Sequence, residues 1–174
     1  MATLDIKFLP DPILRRKARP VSRVDARIQR LLDDMLETMY ASNGVGLAAP
    51  QVGISQRLIV LDIGDGPIRV VNPRLTFLGD EEELATEGCL SVPGVVGDVW
   101  RSLRILVRGL DENGRSLKLQ AEGFLARAFQ HEVDHLDGVL FVDKASDVRP
   151  ITTEEAPEED LEEGAPLDQT ARSA

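Results

Sequence analysis

The sequence has 174 residues, 43% of them hydrophobic, which suits one domain with a hydrophobic core. Its net charge of −10 argues against nucleic-acid binding through phosphate contacts. A single cysteine, Cys89, excludes an intramolecular disulfide and fits a reducing compartment.

The N-terminal stretch up to Ser22 is rich in proline and arginine and predicts an extended arm. It has no apolar signal core, and no part of the sequence is long and apolar enough to span a bilayer. We therefore expect a bacterial-type cytoplasmic protein with no membrane partner. An organelle is the alternative address, because a transit peptide can be removed.

The first predicted helix follows Asp25 and ends at Asn43-Gly44. Asp25 is a residue type that caps helix N-termini, and Asn-Gly is typical of helix ends. Its apolar residues recur at helical spacing and predict an amphipathic helix; they are Ile28, Leu31, Leu32, Met35, Leu36 and Met39.

The middle of the chain predicts β-strands rather than helices. Residues 44–51, GVGLAAPQ, are too glycine-rich for a helix, and residues 57–63 and 68–71 each predict a strand. Residues 103–108 and 115–120 flank Asn113-Gly114, and Asn-Gly between two such segments is a strong hairpin signal.

A second helix is predicted over residues 122–137, before Gly138. It is apolar on more than one side, which is typical of a helix buried in the centre of a domain. The predicted fold is therefore α+β, with antiparallel β-strands around this central helix and an amphipathic helix near the N-terminus.

The composition changes after Val148. Residues 149–174 contain eight acids and only two bases and lack apolar periodicity, so they cannot bury enough apolar surface to offset chain entropy. We predict a catalytic domain over residues 1–148 and an acidic, disordered tail over 149–174. Removal of the tail is expected to leave activity nearly unchanged.

The two histidines of the chain, His131 and His135, lie four residues apart in the central helix and enclose Glu132. This H-E-x-x-H spacing places two imidazoles on one helix face, where they can bind one metal ion while the glutamate reaches metal-bound water. The sequence therefore predicts a metal-binding helix and a metallohydrolase.

A catalytic site of this kind needs a third protein ligand. Cys89 is favoured, because a thiolate with two imidazoles is a reasonable ligand set, although a structural or reactive thiol is the alternative. Asp143, Asp147 and the acids of the tail are downstream candidates without a convincing setting. Gln51 could supply an oxyanion donor, but alone a loop glutamine is usually a turn residue.

Three motifs taken together resemble those of the peptide deformylase family. They are GVGLAAPQ at 44–51, EGCLS at 87–91 and QHEVDHLDG at 130–138. The resemblance covers roughly Ile6 to Val142. It implies an enzyme that removes the formyl group from N-terminal formyl-methionine of new polypeptides and releases formate.

The resemblance also implies the site. Cys89, His131 and His135 would hold Fe(II), which zinc or nickel often replaces in preparations, and the ion would make hydroxide available to attack the formyl carbon. Glu132 would act as general acid and base. Gln51 and the backbone N–H of Leu90 would stabilise the oxyanion.

Substrate contacts follow from the same resemblance. The peptide would lie extended against Val45, Gly46 and Gly88, and its methionine would enter an apolar pocket formed with Phe124 and Ala128. Helical spacing places Phe124 and Ala128 on the same face as the histidines, although both could instead be plain core. An outer ion pair between Glu87 and Arg101 would brace the metal site.

Two departures from the family pattern bear on the outer surface. Trp100 stands where the family often has proline, so the rim of the site is expected to differ. The basic C-terminal helix with which many bacterial members dock on the ribosome is absent. An acidic tail repels ribosomal RNA, so either docking uses another surface or the enzyme meets other peptide pools.

Two alternatives remain at the level of function. One is a different H-E-x-x-H peptidase or amidase on the same scaffold. The other is a related protein that binds without catalysis.

Overall fold

The computed structural model describes residues 2–152, 154 and 155, and these residues form two α-helices and eight strands. The helices are α1 (Ala26–Ala41) and α2 (Gly123–Leu136). The strands are β1 (Gly46–Ala48), β2 (Leu58–Leu61), β3 (Ile68–Phe77), β4 (Glu82–Cys89), β5 (Val92–Ser102), β6 (Arg104–Leu110), β7 (Ser116–Glu122) and β8 (Ser146–Pro150).

The strands form two antiparallel sheets. One has the order β1-β2-β3-β6-β7 and the other has the order β4-β5-β8. Helix α2 packs against strands of both sheets. The predicted α+β class, with antiparallel strands around a central helix, is confirmed.

The five-stranded sheet separates two hydrophobic clusters. Leu58 and Val60 of β2 pack in the cluster that contains the apolar face of α1. Ile59 and Leu61 pack on the opposite face with Phe129 of α2. This alternation follows from the two-residue period of a strand, and it fixes each helix on its own side of the sheet.

The predicted local signals act as expected at two places. The Asp25 carboxylate accepts a hydrogen bond from the Ile28 N–H at 3.0 Å and caps α1. In the hairpin, β6 pairs with β7 in register, and Gly114 has a φ of +76°. That left-handed conformation is why glycine suits the turn.

Four strands lie in segments for which the sequence predicted none. They are β1, β4, β5 and β8. Strand β8 includes Arg149 and Pro150, which lie in the stretch predicted as tail. Its mixed polar sequence and its proline are compatible with an edge strand. Residues 153 and 156–174 of the predicted tail lie outside the described residues.

Within the part of the chain that the structure describes, neither α1 nor α2 is long and apolar enough to cross a membrane.

Candidate metal centre and substrate cleft

Two histidines of α2 and the cysteine that ends β4 bring three metal-binding atoms together. Cys89 Sγ lies 3.3 Å from His135 Nε2. His135 Nε2 lies 3.3 Å from His131 Nε2. One ligand atom from each residue lies within 4.8 Å of the other two. The four-residue spacing of the histidines on α2 and the position of Cys89 at the end of β4 therefore bring the three ligand atoms together.

The spacing of these atoms suits a tetrahedral metal ion. Bond lengths of about 2.0–2.1 Å to nitrogen and about 2.3 Å to sulfur place tetrahedral donors about 3.3–3.6 Å apart. The Cys89 Sγ to His135 Nε2 and His135 Nε2 to His131 Nε2 separations are both 3.3 Å. A thiolate with two imidazoles is a reasonable donor set for zinc or Fe(II), so the residues present fit the predicted metal.

The downstream acids are engaged elsewhere. Asp143 is paired with the guanidinium of Arg15, and Asp147 accepts a hydrogen bond from Arg149. Within residues 2–152, 154 and 155, the cluster that could hold a metal consists of Cys89, His131 and His135. The tail acids beyond Glu155 lie outside the described residues.

Glu132 is buried beside this cluster. Its side chain lines the same cavity as His131, and burial raises the pKa of its carboxyl to about 7. Gly46 of β1 packs against it: a Cβ at position 46 would lie 2.5 Å from Glu132 Oε1. The absent side chain at position 46 is therefore what lets the carboxylate lie against β1.

The amide of Gln51 is held in a fixed orientation. Its Oε1 accepts from the Ala48 N–H at 2.9 Å, and its Nε2 donates to Ser91 Oγ at 3.2 Å. Nε2 also lies 3.6 Å from Cys89 Sγ. An amide nitrogen carries two hydrogens. One of them is donated to Ser91 Oγ, and the amide group lies beside the metal ligand Cys89.

The N-terminal arm supports this loop. The Lys7 N–H donates to the Gln51 carbonyl at 2.7 Å, and the Leu9 N–H donates to the Ser91 carbonyl at 3.0 Å. The arm thereby ties the glutamine loop to the segment that follows Cys89.

Glu87 is the centre of a buried ionic network. Arg101 donates to both of its carboxylate oxygens at 2.9 Å. Arg127 Nη1 donates to Glu87 Oε2 at 2.6 Å, and His131 Nδ1 lies 2.8 Å from Oε1. Burial alone would raise the pKa of Glu87, but the hydrogen bonds from Arg101 and His131 hold it far below its usual value.

This network orients a metal ligand. Because Nδ1 of His131 donates to the Glu87 carboxylate, Nε2 is left facing Cys89 and His135. A metal-binding histidine typically gives its other ring N–H to such a carboxylate, which fixes the tautomer and the ring plane. The network continues outward, since Arg101 Nη1 donates to Asp134 Oδ2 at 2.6 Å.

Cys89 and His131 line a cavity of about 520 Å³. Every residue that the sequence predicted for substrate binding lines it, namely Val45, Gly46, Gly88, Phe124 and Ala128. Gln51, Leu90 and Glu132 line it as well. Phe124 is 56% exposed, which argues against the alternative that it is plain core; Ala128 is buried.

The metal cluster lies within a segment that matches a known protein family. The family model for polypeptide deformylase matches residues 3–150. The chain belongs to the peptide deformylase family. The peptide deformylase of Symbiobacterium thermophilum is 51% identical over 165 residues, which are 93% of this chain and 76% of that protein. The peptide deformylase of Pelotomaculum thermopropionicum is 50% identical over 155 residues, 89% of this chain and 99% of that protein.

Solved structures of the peptide deformylase family have the same fold. The Thermotoga maritima enzyme superposes with a TM-score of 0.82 at 46% identity, over 84% of this chain and 99% of that one. The Synechococcus elongatus enzyme, in complex with actinonin, has a TM-score of 0.81 at 47% identity, over 84% of this chain and 81% of that one. The resemblance of the three motifs to peptide deformylases is confirmed.

One buried residue of the site was missed in the sequence. Arg127 is 6% exposed and bonds Glu87. Its spacing carried a signal, because it precedes His131 by four residues and therefore lies on the same helix face. An arginine on a buried, apolar helix face needs a charged partner, and only the folded sheet reveals that the partner is Glu87.

Trp100 was expected to change the rim of the site. Instead it lines a separate cavity of about 360 Å³, together with Phe77 and Lys144. The neighbouring side chain, Arg101, points inward to Glu87. The two-residue period of β5 therefore turns Trp100 away from the substrate cleft.

Proposed function

We propose that the chain removes the formyl group from N-terminal formyl-methionine of newly made polypeptides and releases formate and a free amine. The observation that carries this proposal is the cavity that joins the Cys89, His131 and His135 cluster to the side chains of Gln51 and Glu132. Membership of the peptide deformylase family supports it.

Cys89, His131 and His135 would hold Fe(II), and zinc or nickel would fit the same donors in a preparation. When bound, the metal supplies Lewis acidity that makes hydroxide available near neutral pH. The close approach of the three donor atoms supports this assignment.

Glu132 acts as the general acid and base. It accepts a proton from the attacking water and delivers that proton to the leaving nitrogen as the bond between the formyl carbon and nitrogen breaks. Its position supports the role, because the side chain lines the cavity and is one residue from His131.

Gln51 and the backbone N–H of Leu90 stabilise the negative charge that develops on the formyl oxygen. Donors fixed before the reaction are effective because they need no reorganisation as charge develops. The Gln51 amide is fixed by Ala48 and Ser91 and lies beside Cys89, which supports its assignment.

The substrate lies extended between Val45 and Gly46 on one side and Gly88 on the other. Its methionine side chain packs against Phe124 and Ala128. The exposure of Phe124 at the cavity and the burial of Ala128 deeper in α2 support an apolar pocket with an open entrance.

Glu87 and Arg101 hold His131 in the orientation that metal binding requires. Their hydrogen bonds, both 2.9 Å long, support this role. We further propose that the protein works in a bacterial-type cytoplasm on nascent chains, without direct nucleic-acid binding, and that any docking on the ribosome uses a surface other than a basic C-terminal helix.

Formate release separates this function from its rivals. Formyl-Met-Ala should release formate, whereas acetyl-Met-Ala and unblocked Met-Ala should not be hydrolysed. The Glu132→Ala variant should keep its metal and lose about 10²–10⁴ in turnover. Preference for the acetylated or unblocked peptide would indicate another hydrolase, and stoichiometric metal without any formate release would indicate a binding protein.

A further inference from the structure

The chain that leaves β8 runs along the substrate cavity. Pro150 pairs with Val95 and Arg149 pairs with Val96. The Ile151 N–H then donates to the Gly94 carbonyl at 3.0 Å. Gly94, Val95 and Val96 all line the cavity, so the segment beyond β8 is carried to its edge.

Ile151, Thr152 and Glu155 form a closed turn at that edge, here named the rim turn. Thr152 donates to Glu155 Oε2 through its N–H at 3.2 Å and its hydroxyl at 3.0 Å. The Glu155 N–H in turn donates to the Thr152 carbonyl at 3.0 Å. The Glu155 side chain therefore folds back onto Thr152.

Arg149 anchors the rim turn to the three-stranded sheet. Its Nη2 donates to Glu155 Oε1 at 2.9 Å, and its Nη1 donates to Asp98 Oδ1 of β5 at 3.3 Å. Because these contacts fix the turn from both sides, Ile151 and Glu155 line the same cavity as Cys89, His131 and Glu132.

The rim turn lies beyond the part of the chain that the family model matches, which ends at residue 150. Removal of the chain beyond Val148 was expected to leave activity nearly unchanged, and that segment includes Ile151 and Glu155, which both line the cavity.

We infer that the rim turn is a wall of the peptide cleft that selects the residues following formyl-methionine. The inference rests on the proposed function, because it takes the cavity to hold a formylated peptide. With the formyl group at Cys89 and the methionine at Phe124 and Ala128, the rest of the peptide leaves past the β5 side. There Ile151 offers an apolar contact.

Glu155 adds a charge preference at this wall. Among the described residues, the Arg149 guanidinium pairs with the carboxylates of Asp98, Asp147 and Glu155, so one positive charge faces three negative charges. The edge of the cleft is therefore acidic. Peptides with a lysine after the methionine bind better than peptides with a glutamate, by up to about fivefold for one partly exposed charge pair.

The test compares two charge-removing substitutions in the full chain. Glu155→Gln removes a carboxylate that lines the cavity, and Glu154→Gln removes a neighbouring exposed one that does not. The kcat/KM of each protein is measured on formyl-Met peptides that carry lysine, alanine or glutamate at either of the next two positions.

The preference for lysine over glutamate should fall about fivefold in Glu155→Gln, mainly through KM, and change less than twofold in Glu154→Gln. Ile151→Ala should raise KM for formyl-Met-Ala-Leu more than for formyl-Met amide. Equal preferences in all proteins, with formate still released, would overturn the rim turn as a selector and leave the proposed function intact. No formate from any peptide would overturn both.

Discussion

Gly46 and Glu132 share a space that no side chain at position 46 can enter. A Cβ there would lie 2.5 Å from Glu132 Oε1 and 2.9 Å from its Cδ. Such contacts are essentially absent from folded proteins, so one of the two groups must move. The Glu132 carboxylate is the group that shifts, because it is the far end of a flexible side chain and lines the open cavity.

Gly46→Ala therefore tests where the carboxylate must lie. We expect kcat to fall by at least about tenfold, because displacement of a general acid and base by a fraction of an ångström disrupts proton transfer. Metal content should stay at the wild-type level, since Cys89, His131 and His135 are unchanged. A variant with normal kcat would show that Glu132 acts from another position.

Gln51→Ala tests the oxyanion donor. Loss of one such donor typically lowers turnover by about 10²–10³, and we expect a loss of this size at constant metal content. Ser91→Ala is the matched control, because it removes the hydroxyl that orients the amide but leaves the donor. Ser91→Ala should lower turnover less than Gln51→Ala does. Equal losses of turnover would indicate that the conformation of the loop, rather than the Gln51 donor, determines the rate.

Cys89→Ala tests the third ligand. The variant keeps two imidazoles and should lose most of its metal during dialysis against a chelator that leaves the wild type loaded. Asp143→Ala serves as the comparison, since Asp143 was the downstream alternative and is paired with Arg15 instead. Retention of metal by Cys89→Ala and loss by Asp143→Ala would reverse the assignment.

Arg127→Met tests the role of the second arginine that is hydrogen-bonded to Glu87. The substitution leaves the Val99 carbonyl without the donor that lies at 2.9 Å and removes one partner of a buried carboxylate. Breaking a buried ion pair costs about 3–5 kcal/mol, and loss of an outer partner lowers metal affinity about 10–100-fold.

The Arg127 variant is checked by urea unfolding and by competition with a chelator. Arg108→Met, an exposed arginine of β6, should change neither measurement. If metal affinity stays normal in Arg127→Met while stability falls, Arg127 is structural and does not position His131.

Much of this site could be predicted from local signals. The H-E-x-x-H spacing, the cap at Asp25 and the Asn113-Gly114 turn each depend on residues close in the chain, and the structure contains the corresponding helices and hairpin. The three motifs also identified the family.

The rest depends on contacts between distant residues. Strand β4 begins with acidic, exposed residues and has no clear alternation, so only its pairing with β5 defines it. Arg127 and Glu87 are 40 residues apart. The role of Gly46 depends on the side chain of Glu132 in α2. The rim turn depends on β8, which the acidic composition of residues 149–174 gave no reason to predict.

An anaerobic titration of the metal-free protein with Fe(II), followed by formate release from formyl-Met-Ala, tests the central claim most directly. The rate should rise in proportion to added iron and stop rising at one equivalent per chain, because Cys89, His131 and His135 form one site. Full formate release from the metal-free protein, or none at any iron concentration, would contradict a metal-dependent deformylase.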